Sequence, residues 1–419
     1  MFSFPYLKNN GYLLYRDMVH AYPPLLTLLL ATIYKIFGYQ LAVVKIFTWI
    51  GILINDVLVY LIIKKLTKSS ILGSLFMGIY IIIQPVLEGN MLWYDTAIVT
   101  PILIGTYFGI KTLAKNQKQD LVLAGLFFTL ASLIKQTGAF FYLGFLIIYF
   151  LKFKKLNQIK FYFLPAVILW GVLLIRLWTE NAVMGFVNSV FINPSQYWVN
   201  FPGYVDLDLN NYEIRIILLL LLPVLGFLKL LRKNENNLLI GIFLALSIVA
   251  VYPRFSFFHF QTALVFIIII WAILIKESGF KYLFPVFLAA FGILYFSRYQ
   301  FNLNRNVRFF EPRQLELAEH IKNTVGVDQK VYLFGLHSNL YVLSGRLPPK
   351  PWSDNFGWHY QVPDFEDGVL TGWSVNPPEY VYKYTLDTFY PMKITKWIES
   401  NYNKQELVFD NVEIWKIKN

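Results

Sequence analysis

Ten long apolar stretches dominate the first 300 residues, and most approach the roughly 20 residues that a helix needs to cross a bilayer. They lie at 41–63, 71–87, 95–113, 119–134, 137–151, 161–178, 213–231, 238–252, 258–275 and 282–298. The short stretches 119–134 and 137–151 form either two helices that share the turn 135–138 or one re-entrant pair. The pattern predicts an α-helical polytopic membrane bundle over residues 41–300, with about ten spans.

Residues 23–37 form a further apolar stretch that is too short to span a membrane comfortably. Two prolines at its start suit the first turn of a helix, and Gly38 is suited to end it. We expect a helix lying in the outer membrane interface, within an external loop of residues 1–40. An ordinary buried helix is the alternative interpretation.

The pattern changes after residue 300, where helical and strand-like segments alternate. A helical pattern at 311–324 precedes strand-like segments at 330–334, 380–384, 406–409 and 412–417, with a helix near 392–401. This mixture is typical of a small α/β domain. We therefore expect residues 301–419 to fold as a separate soluble domain.

Composition supports the membrane interpretation and excludes several other classes of protein. The chain is 57% hydrophobic and only 15% charged, against about 25% charge in ordinary soluble domains. Its zero cysteines exclude disulfides, thiol catalysis and thiolate metal sites. The net charge of +12 arises in residues 1–300, with 24 Lys and Arg against 11 Asp and Glu, so it is not a basic face for nucleic acid.

The distribution of lysine and arginine predicts the orientation of the bundle. Fifteen of those 24 basic residues lie in alternate loops, which the positive-inside rule makes cytoplasmic. The other loops (88–94, 135–136, 179–212 and 253–257) contain only two basic residues, Lys135 and Arg254. Ten crossings would place both termini, and with them the C-terminal domain, outside the cytoplasm. An external start requires an earlier crossing, so we expect a preceding helix that this sequence lacks.

Polar side chains at the external ends of the predicted spans are the candidates for chemistry, because charges within the bilayer are costly. We expect them to converge over one cavity: Arg16, Asp17, His20, Glu88, Asp95, Lys135, Gln136, Arg254 and His259. Purely structural roles remain open. Asp17 could pair with Arg16, Asp95 could cap a helix, Lys135 could reach the interface, and Arg254 and His259 could be interface anchors.

Several of these residues occur in segments that resemble polytopic GT-C glycosyltransferases. The similarity is to bacterial relatives of protein O-mannosyltransferases and of the lipid A aminoarabinose transferase. The segments are 11–17 (GYLLYRD) with 22–25 (YPPL), 92–95 (LWYD), 133–138 (LIKQTG), 252–261 (YPRFSFFHFQ), and 376–381 (NPPEYV) in the tail. The resemblance covers nearly the whole chain, and four motifs occur in order on the predicted external face.

The resemblance implies transfer of a sugar, with inversion, from a polyprenyl phosphate to an external acceptor, which could be protein, lipid or glycan. It implies phosphate contacts from Arg254, Lys135 and His259. Asp17 and Asp95, the candidate catalytic residues, would position hydroxyl groups of the acceptor or sugar, or would act as the base that takes the acceptor's proton. Arg16, His20 and Gln136 would bind substrate. The spacing of possible metal ligands in the sequence does not require a metal site. Because carboxylates and histidines are present, binding of a divalent cation stays an open alternative.

This sequence departs from such enzymes at their first helix. In them, the outer end of that helix carries an acidic residue, which serves as the base that takes the acceptor's proton. That helix and acid would lie just before segment 4–11, so this sequence corresponds to a chain that lacks them. Two other interpretations therefore stay open. One is a transporter or lipid flippase, and the other is a catalytically impaired membrane protein whose tail binds surface polymer.

Overall fold

The computed structural model describes residues 1–154, 157–277, 284–303, 310–354, 356–386, 391–405, 409 and 411–418. Within them the protein is mostly helical, with one small sheet near the C-terminus. The predicted class, a helical bundle with a small C-terminal α/β region, is confirmed.

The N-terminal segment forms two helices, α1 (Ser3–Asn9) and α2 (Leu25–Phe37), joined by an irregular loop. Helix α2 ends at Gly38, whose φ of 81° favours glycine. One face of α2 packs inside the protein, while Leu29, Ile36 and Phe37 are exposed on the other. An exposed apolar face suits a helix at a membrane interface, but its placement there stays a prediction.

Ten long helices follow the ten predicted stretches. They are α3 (Leu41–Thr67), α4 (Ser70–Val86), α6 (Val99–Lys115), α7 (Lys118–Ile134), α8 (Gly138–Phe153), α9 (Ile159–Thr179), α12 (Asn211–Phe227), α13 (Glu235–Val249), α14 (Gln261–Glu277) and α15 (Phe284–Leu303). Short helices α5 (Tyr94–Ala97), α10 (Val183–Val187) and α11 (Asn193–Gln196) lie in the connections. A π-helical turn at Asn188–Ile192 separates the last two. Residues 282–283 of the last predicted stretch, with Lys155 and Lys281, lie outside the described residues.

Helix α14 is the centre of the bundle. All its residues from Gln261 to Leu274 are buried, and it packs against α3, α4, α5, α12 and α13. A helix that is apolar around its whole circumference is expected in such a central position. Its composition therefore explains why the other helices surround it.

The outer helices expose apolar side chains, as expected where lipid replaces water as the neighbour. On α3 these include Trp49 and Leu53, and on α9 Val167 and Trp178. Three stretches of the described chain are long and apolar enough to cross a membrane: Leu41–Thr67, Tyr94–Lys115 and Ile159–Thr179. The chain thus has the apolar helices of an integral membrane protein.

The C-terminal region contains a four-stranded sheet in the order β1-β2-β4-β3. Its elements are α16 (Pro312–Thr324), β1 (Val331–Phe334), α17 (Asn339–Ser344), α18 (Phe365–Val375), β2 (Tyr380–Tyr384), α19 (Met392–Asn401), β3 (Tyr402–Lys404) and β4 (Val412–Ile417). Strand β1 pairs in parallel with β2, and β4 runs antiparallel to β2 and β3. Most of the predicted strand at 406–409 lies outside the described residues.

Alternating side chains of the sheet bury two apolar cores, as the two-residue repeat of a strand requires. Val331 and Leu333 share one core with the N-terminal loop, whereas Tyr332 and Phe334 face α18 and α19. The backbone of Trp352 also pairs with the N-terminal loop, donating to the Asp17 carbonyl at 2.9 Å and accepting from the Val19 amide at 3.0 Å. The C-terminal region is therefore attached to the loop before α2.

Candidate active site

Three of the predicted residues meet in one buried ionic cluster. The Asp95 carboxylate contacts the Lys135 ammonium, and its second oxygen lies 3.0 Å from Nδ1 of His259. Their side chains are only 4%, 8% and 13% exposed, respectively. We call Asp95, Lys135 and His259 the ionic cluster. Its members come from three separate parts of the chain.

Local structure explains how each side chain is held. Asp95 lies on the short helix α5, where Thr96 Oγ1 accepts from the Trp93 amide at 2.9 Å. Lys135 follows α7 directly, in extended backbone. The next helix begins at Gly138, where a Cβ atom would collide with the Ala131 carbonyl group. The turn that positions Lys135 is therefore tight enough to require glycine.

His20 lies near the ionic cluster, but its hydrogen bonds are with Tyr22, Thr27 and Tyr94. Its Nε2 lies 2.9 Å from both Thr27 Oγ1 and the Tyr94 hydroxyl, and its Nδ1 lies 2.6 Å from the Tyr22 carbonyl oxygen. Burial lowers the pKa of His20 to about 4, so the ring is neutral at pH 7. Tyr22 stacks on Tyr94, with ring centroids 3.9 Å apart. His20 thus fixes the aromatic residues beside Asp95.

Tyr22 belongs to the same surroundings, although the sequence did not single it out. Burial raises the pKa of its hydroxyl well above the ordinary value, and the nearby Asp95, Tyr94 and Tyr204 raise it further. The Tyr22 side chain therefore lies within electrostatic reach of the ionic cluster. Its position in the YPPL segment was the sequence feature that could have identified Tyr22 as a candidate site residue.

Asp17 is held in a different set of contacts. Its carboxylate accepts from Arg16 Nε at 2.9 Å, Lys350 Nζ at 2.8 Å and the Leu13 amide at 3.1 Å. Burial alone would raise the pKa of Asp17, but the hydrogen bonds from Arg16 and Lys350 outweigh it and lower the pKa below its ordinary value. Arg16 and Asp17 thus pair as the structural alternative predicted, with Lys350 as an added partner.

Arg254 points toward the C-terminal region. Its guanidinium donates to the Gly203 carbonyl at 2.7 Å and lies 5.2 Å from the centre of the Trp358 ring. The backbone around it pairs with Asp206, which donates to the Pro253 carbonyl at 2.9 Å. Arg254 precedes His259 by five residues, but its side chain contacts Gly203 and Trp358 and not the ionic cluster.

Gln136 follows Lys135 and turns toward the N-terminal loop. Its Nε2 donates to the Ala21 carbonyl at 3.5 Å, while its buried Oε1 accepts no hydrogen bond from the residues described. Gln136 is therefore near the YPPL segment and retains an unused acceptor.

An apolar cavity of about 380 Å³ adjoins the ionic cluster. Its walls come from α2, α3, α4, α6 and α7, and its polar lining residues include Asn55, Gln84, Thr100 and Gln261. Three lining residues are chain neighbours of the cluster: Thr96 follows Asp95, Ile134 precedes Lys135, and Gln261 lies two residues after His259. The cavity is thus lined by chain neighbours of all three cluster residues.

In the described ranges, no group of three or more His, Asp or Glu side chains is arranged to hold a metal ion. Asp95 and His259 are the two potential ligands that lie together, and Lys135 occupies the other side of the carboxylate.

Comparisons with known proteins agree with this architecture. Residues 21–178 match the family described as dolichyl-phosphate-mannose-protein mannosyltransferase. No curated protein sequence matches the chain. The matched segment includes the cluster residues Asp95 and Lys135.

Solved structures give the same class of fold. ArnT from Cupriavidus metallidurans in the apo state has a TM-score of 0.65 at 9% identity, covering 99% of this chain and 91% of ArnT. ArnT bound to undecaprenyl phosphate has a TM-score of 0.62 at 9% identity, covering 94% and 87%. The Archaeoglobus fulgidus oligosaccharyltransferase AglB, in complex with an inhibitory peptide and a dolichol-phosphate, has a TM-score of 0.51 at 12% identity, covering 92% and 64%.

The fold is therefore similar to the folds of ArnT and AglB. The resemblance drawn from the sequence, to the protein O-mannosyltransferase and aminoarabinose transferase group, is confirmed.

Proposed function

We propose that this protein is a glycosyltransferase of the cell membrane that transfers a sugar from a polyprenyl phosphate to an acceptor outside the cytoplasm. The observation that carries the proposal is the buried ionic cluster, together with an apolar cavity that chain neighbours of its three residues line. A lipid-linked phosphate has the matching chemistry, because its chain is apolar and its head is anionic.

In this proposal, Lys135 and His259 bind the phosphate of the donor. Cationic hydrogen-bond donors stabilise the negative charge that grows on the leaving oxygen as the glycosidic bond breaks. Asp95 orients both groups before the donor arrives. Because the protein interior excludes water here, these interactions are stronger than they would be at the surface.

The reaction is a displacement at the anomeric carbon with inversion. The acceptor oxygen forms a bond to that carbon, the bond to the phosphate oxygen breaks, and the phosphate leaves with both electrons. The acceptor proton passes to a carboxylate base. When the phosphate attracts Lys135 and His259, the Asp95 carboxylate becomes available for that proton, whereas Asp17 stays paired with Arg16 and Lys350.

The cavity supports the assignment of a lipid-borne donor. Leu29, Ile50 and Ile54 line it and keep a large exposed surface, and we infer that a lipid chain enters the cavity past them. One of the ArnT structures contains undecaprenyl phosphate, and the AglB structure contains a dolichol-phosphate. By analogy we assign the apolar part of the cavity to the isoprenoid chain of the donor.

The decisive test is Lys135→Met in the full-length protein, reconstituted in nanodiscs with radiolabelled polyprenyl phosphate sugars. We expect kcat/KM to fall at least about a hundredfold, because one cation that stabilises the leaving phosphate is lost. Asp208→Asn, which changes an exposed acid, is the control and keeps full activity. Lys135→Arg restores part of the rate.

Two results would contradict the proposal. One is undiminished transfer by Lys135→Met, with thermal stability equal to that of the wild type. The other is uptake of a solute or lipid into proteoliposomes without any transfer of sugar, which would favour a transporter.

A further inference from the structure

Two lysines lie over the same aromatic ring, at the end of the bundle opposite to the ionic cluster. Lys118 begins α7 and Lys160 lies in the first turn of α9. Their ammonium groups are 5.2 Å and 5.6 Å, respectively, from the centre of the Phe161 ring. The length of α7 places about 26 Å of helix between Lys118 and Lys135. We call Lys118, Lys160 and Phe161 the double-lysine site.

The positive charge of the double-lysine site is not balanced by acids of the surrounding helices. Residues 96–179, which include α6 to α9, contain a single acidic residue, Asp120. The Asp120 carboxylate is buried and pairs with Lys111. Within the described part of the chain, neither Lys118 nor Lys160 forms an ion pair. An aromatic ring attracts a cation but carries no formal charge, so two positive charges remain close to each other.

The acids that α13 and α14 contribute to this end of the bundle are also paired. Glu235 at the start of α13 lies 3.2 Å from the Lys152 ammonium, and Glu277 at the end of α14 contacts Lys233. Among the residues that the structure describes, these pairings leave the double-lysine site to be compensated by solvent ions or by an anionic ligand.

The double-lysine site continues into an exposed apolar face of α9. Leu164, Ile168, Val172 and Ile175 follow Phe161 at intervals of three or four residues, which places them on one side of the helix. They are 49%, 52%, 63% and 64% exposed, respectively. We call these four residues the apolar face of α9. A face that is both apolar and exposed suits hydrocarbon chains as its neighbours. A ligand with a negative head and an apolar chain therefore matches the whole surface, whereas a soluble anion would use the lysines alone.

We propose that the double-lysine site binds the phosphate of an anionic phospholipid, whose acyl chain lies along the apolar face of α9. Both lysines are exposed, so a head group at the membrane surface can reach them. Basic sites between helices at the cytoplasmic surface attract anionic head groups, and the distribution of lysines assigns this end of the bundle to the cytoplasm. This inference does not rest on the proposed function, because the site is separated from the ionic cluster by the length of α7.

The double variant Lys118→Gln with Lys160→Gln removes both charges and keeps polar side chains. We expect it to bind palmitoyl-oleoyl phosphatidylglycerol at least about tenfold more weakly than the wild type, because two attractive charges are lost. Binding of the zwitterionic palmitoyl-oleoyl phosphatidylcholine should stay unchanged. Without added lipid, the melting temperature should equal or exceed that of the wild type, since repulsion between two like charges is removed. Lys118→Arg with Lys160→Arg should retain the affinity for phosphatidylglycerol.

Native mass spectrometry of the whole chain in a neutral detergent, with each lipid titrated, measures the affinities, and thermal unfolding measures stability. Lys322→Gln with Lys396→Gln is the matched control. Both of these lysines are exposed in the C-terminal region, and their replacement changes the net charge by the same amount. The control should bind phosphatidylglycerol as the wild type does.

Three results would overturn the inference. One is unchanged binding of phosphatidylglycerol by the double variant, which together with a lower melting temperature would give the two lysines a structural role. Another is an equal loss of affinity in the control, which would assign the effect to net charge. The third is displacement of phosphatidylglycerol by glycerol phosphate at equal concentration, because this molecule lacks acyl chains and would show that the site binds a soluble anion.

Discussion

Individual charged residues in this protein are distinguished by their partners. Asp17 and Asp95 are both buried and both lie near predicted external loops, but their contacts differ. Asp17 joins the N-terminal loop to Lys350, whereas Asp95 holds Lys135 and His259 beside a cavity. The contacts favour a structural role for Asp17 and a role in the reaction for Asp95.

The lowered pKa of Asp17 predicts how stability depends on pH. Its carboxylate stabilises the fold fully above the unfolded pKa near 4, and that contribution is lost as the pH falls through the lower pKa of the folded state. We expect Asp17→Asn to lower the free energy of unfolding by about 1.5–3 kcal/mol at pH 7, a difference that shrinks in acid.

Chemical denaturation in detergent micelles at pH 7 and pH 3 would measure this difference. The exposed Asp208→Asn serves as the control at both pH values. A destabilisation by Asp17→Asn of the same size at both pH values would show that ionisation of Asp17 is not its cause.

At the scale of elements, the apolar pattern predicted the helices well because each buried or lipid-facing helix must consist of apolar residues over its own length. All ten stretches correspond to helices, with the start of the last outside the described residues. The candidate site was less predictable. The contact between Asp95 and Lys135 spans 40 positions, and that between Asp17 and Lys350 spans 333.

Local pattern contains no information on such distant pairings, because these depend on how the helices pack. The ionic cluster was within the predicted set, while Lys350, Tyr22 and Gln84 were not. Tyr22 offered a signal through its place in the YPPL segment, and Gln84 offered one as an amide inside an apolar stretch, where an unpaired polar group is costly.

The turn between α7 and α8 provides a test at this scale. A methyl group at Gly138 would meet the Ala131 backbone, so Gly138→Ala should destabilise the protein by about 1–3 kcal/mol and displace Lys135. Gly171→Ala is the matched control in α9, where the added Cβ would have no neighbour within 4 Å. The melting temperature and the transfer activity should both be lower for Gly138→Ala than for the wild type. Values equal to those of Gly171→Ala would refute a steric requirement for glycine at position 138.

For the whole molecule, the orientation in the membrane is our remaining proposal. The basic loops are assigned to the cytoplasm, and the acidic loop 204–213 to the outside. Because the chain contains no cysteine, a single introduced cysteine reports one position without background labelling.

We therefore predict that Asp208→Cys reacts with an impermeant maleimide in intact cells, whereas Lys233→Cys reacts only after lysis. Both positions are exposed, so the difference in labelling reflects the membrane side and not burial. Labelling of Lys233→Cys in intact cells would reverse the proposed topology and move the candidate site to the cytoplasmic leaflet.

The burial of α14 on all sides has a consequence for bilayers of different thickness. Helices that touch lipid adjust their tilt when the hydrocarbon layer becomes thinner or thicker. Helix α14 is in contact with protein over most of its length, so such adjustments reach it only through its neighbours. Gln261 begins this helix and His259 lies two residues before it, which shields both from variation in the composition of the host membrane.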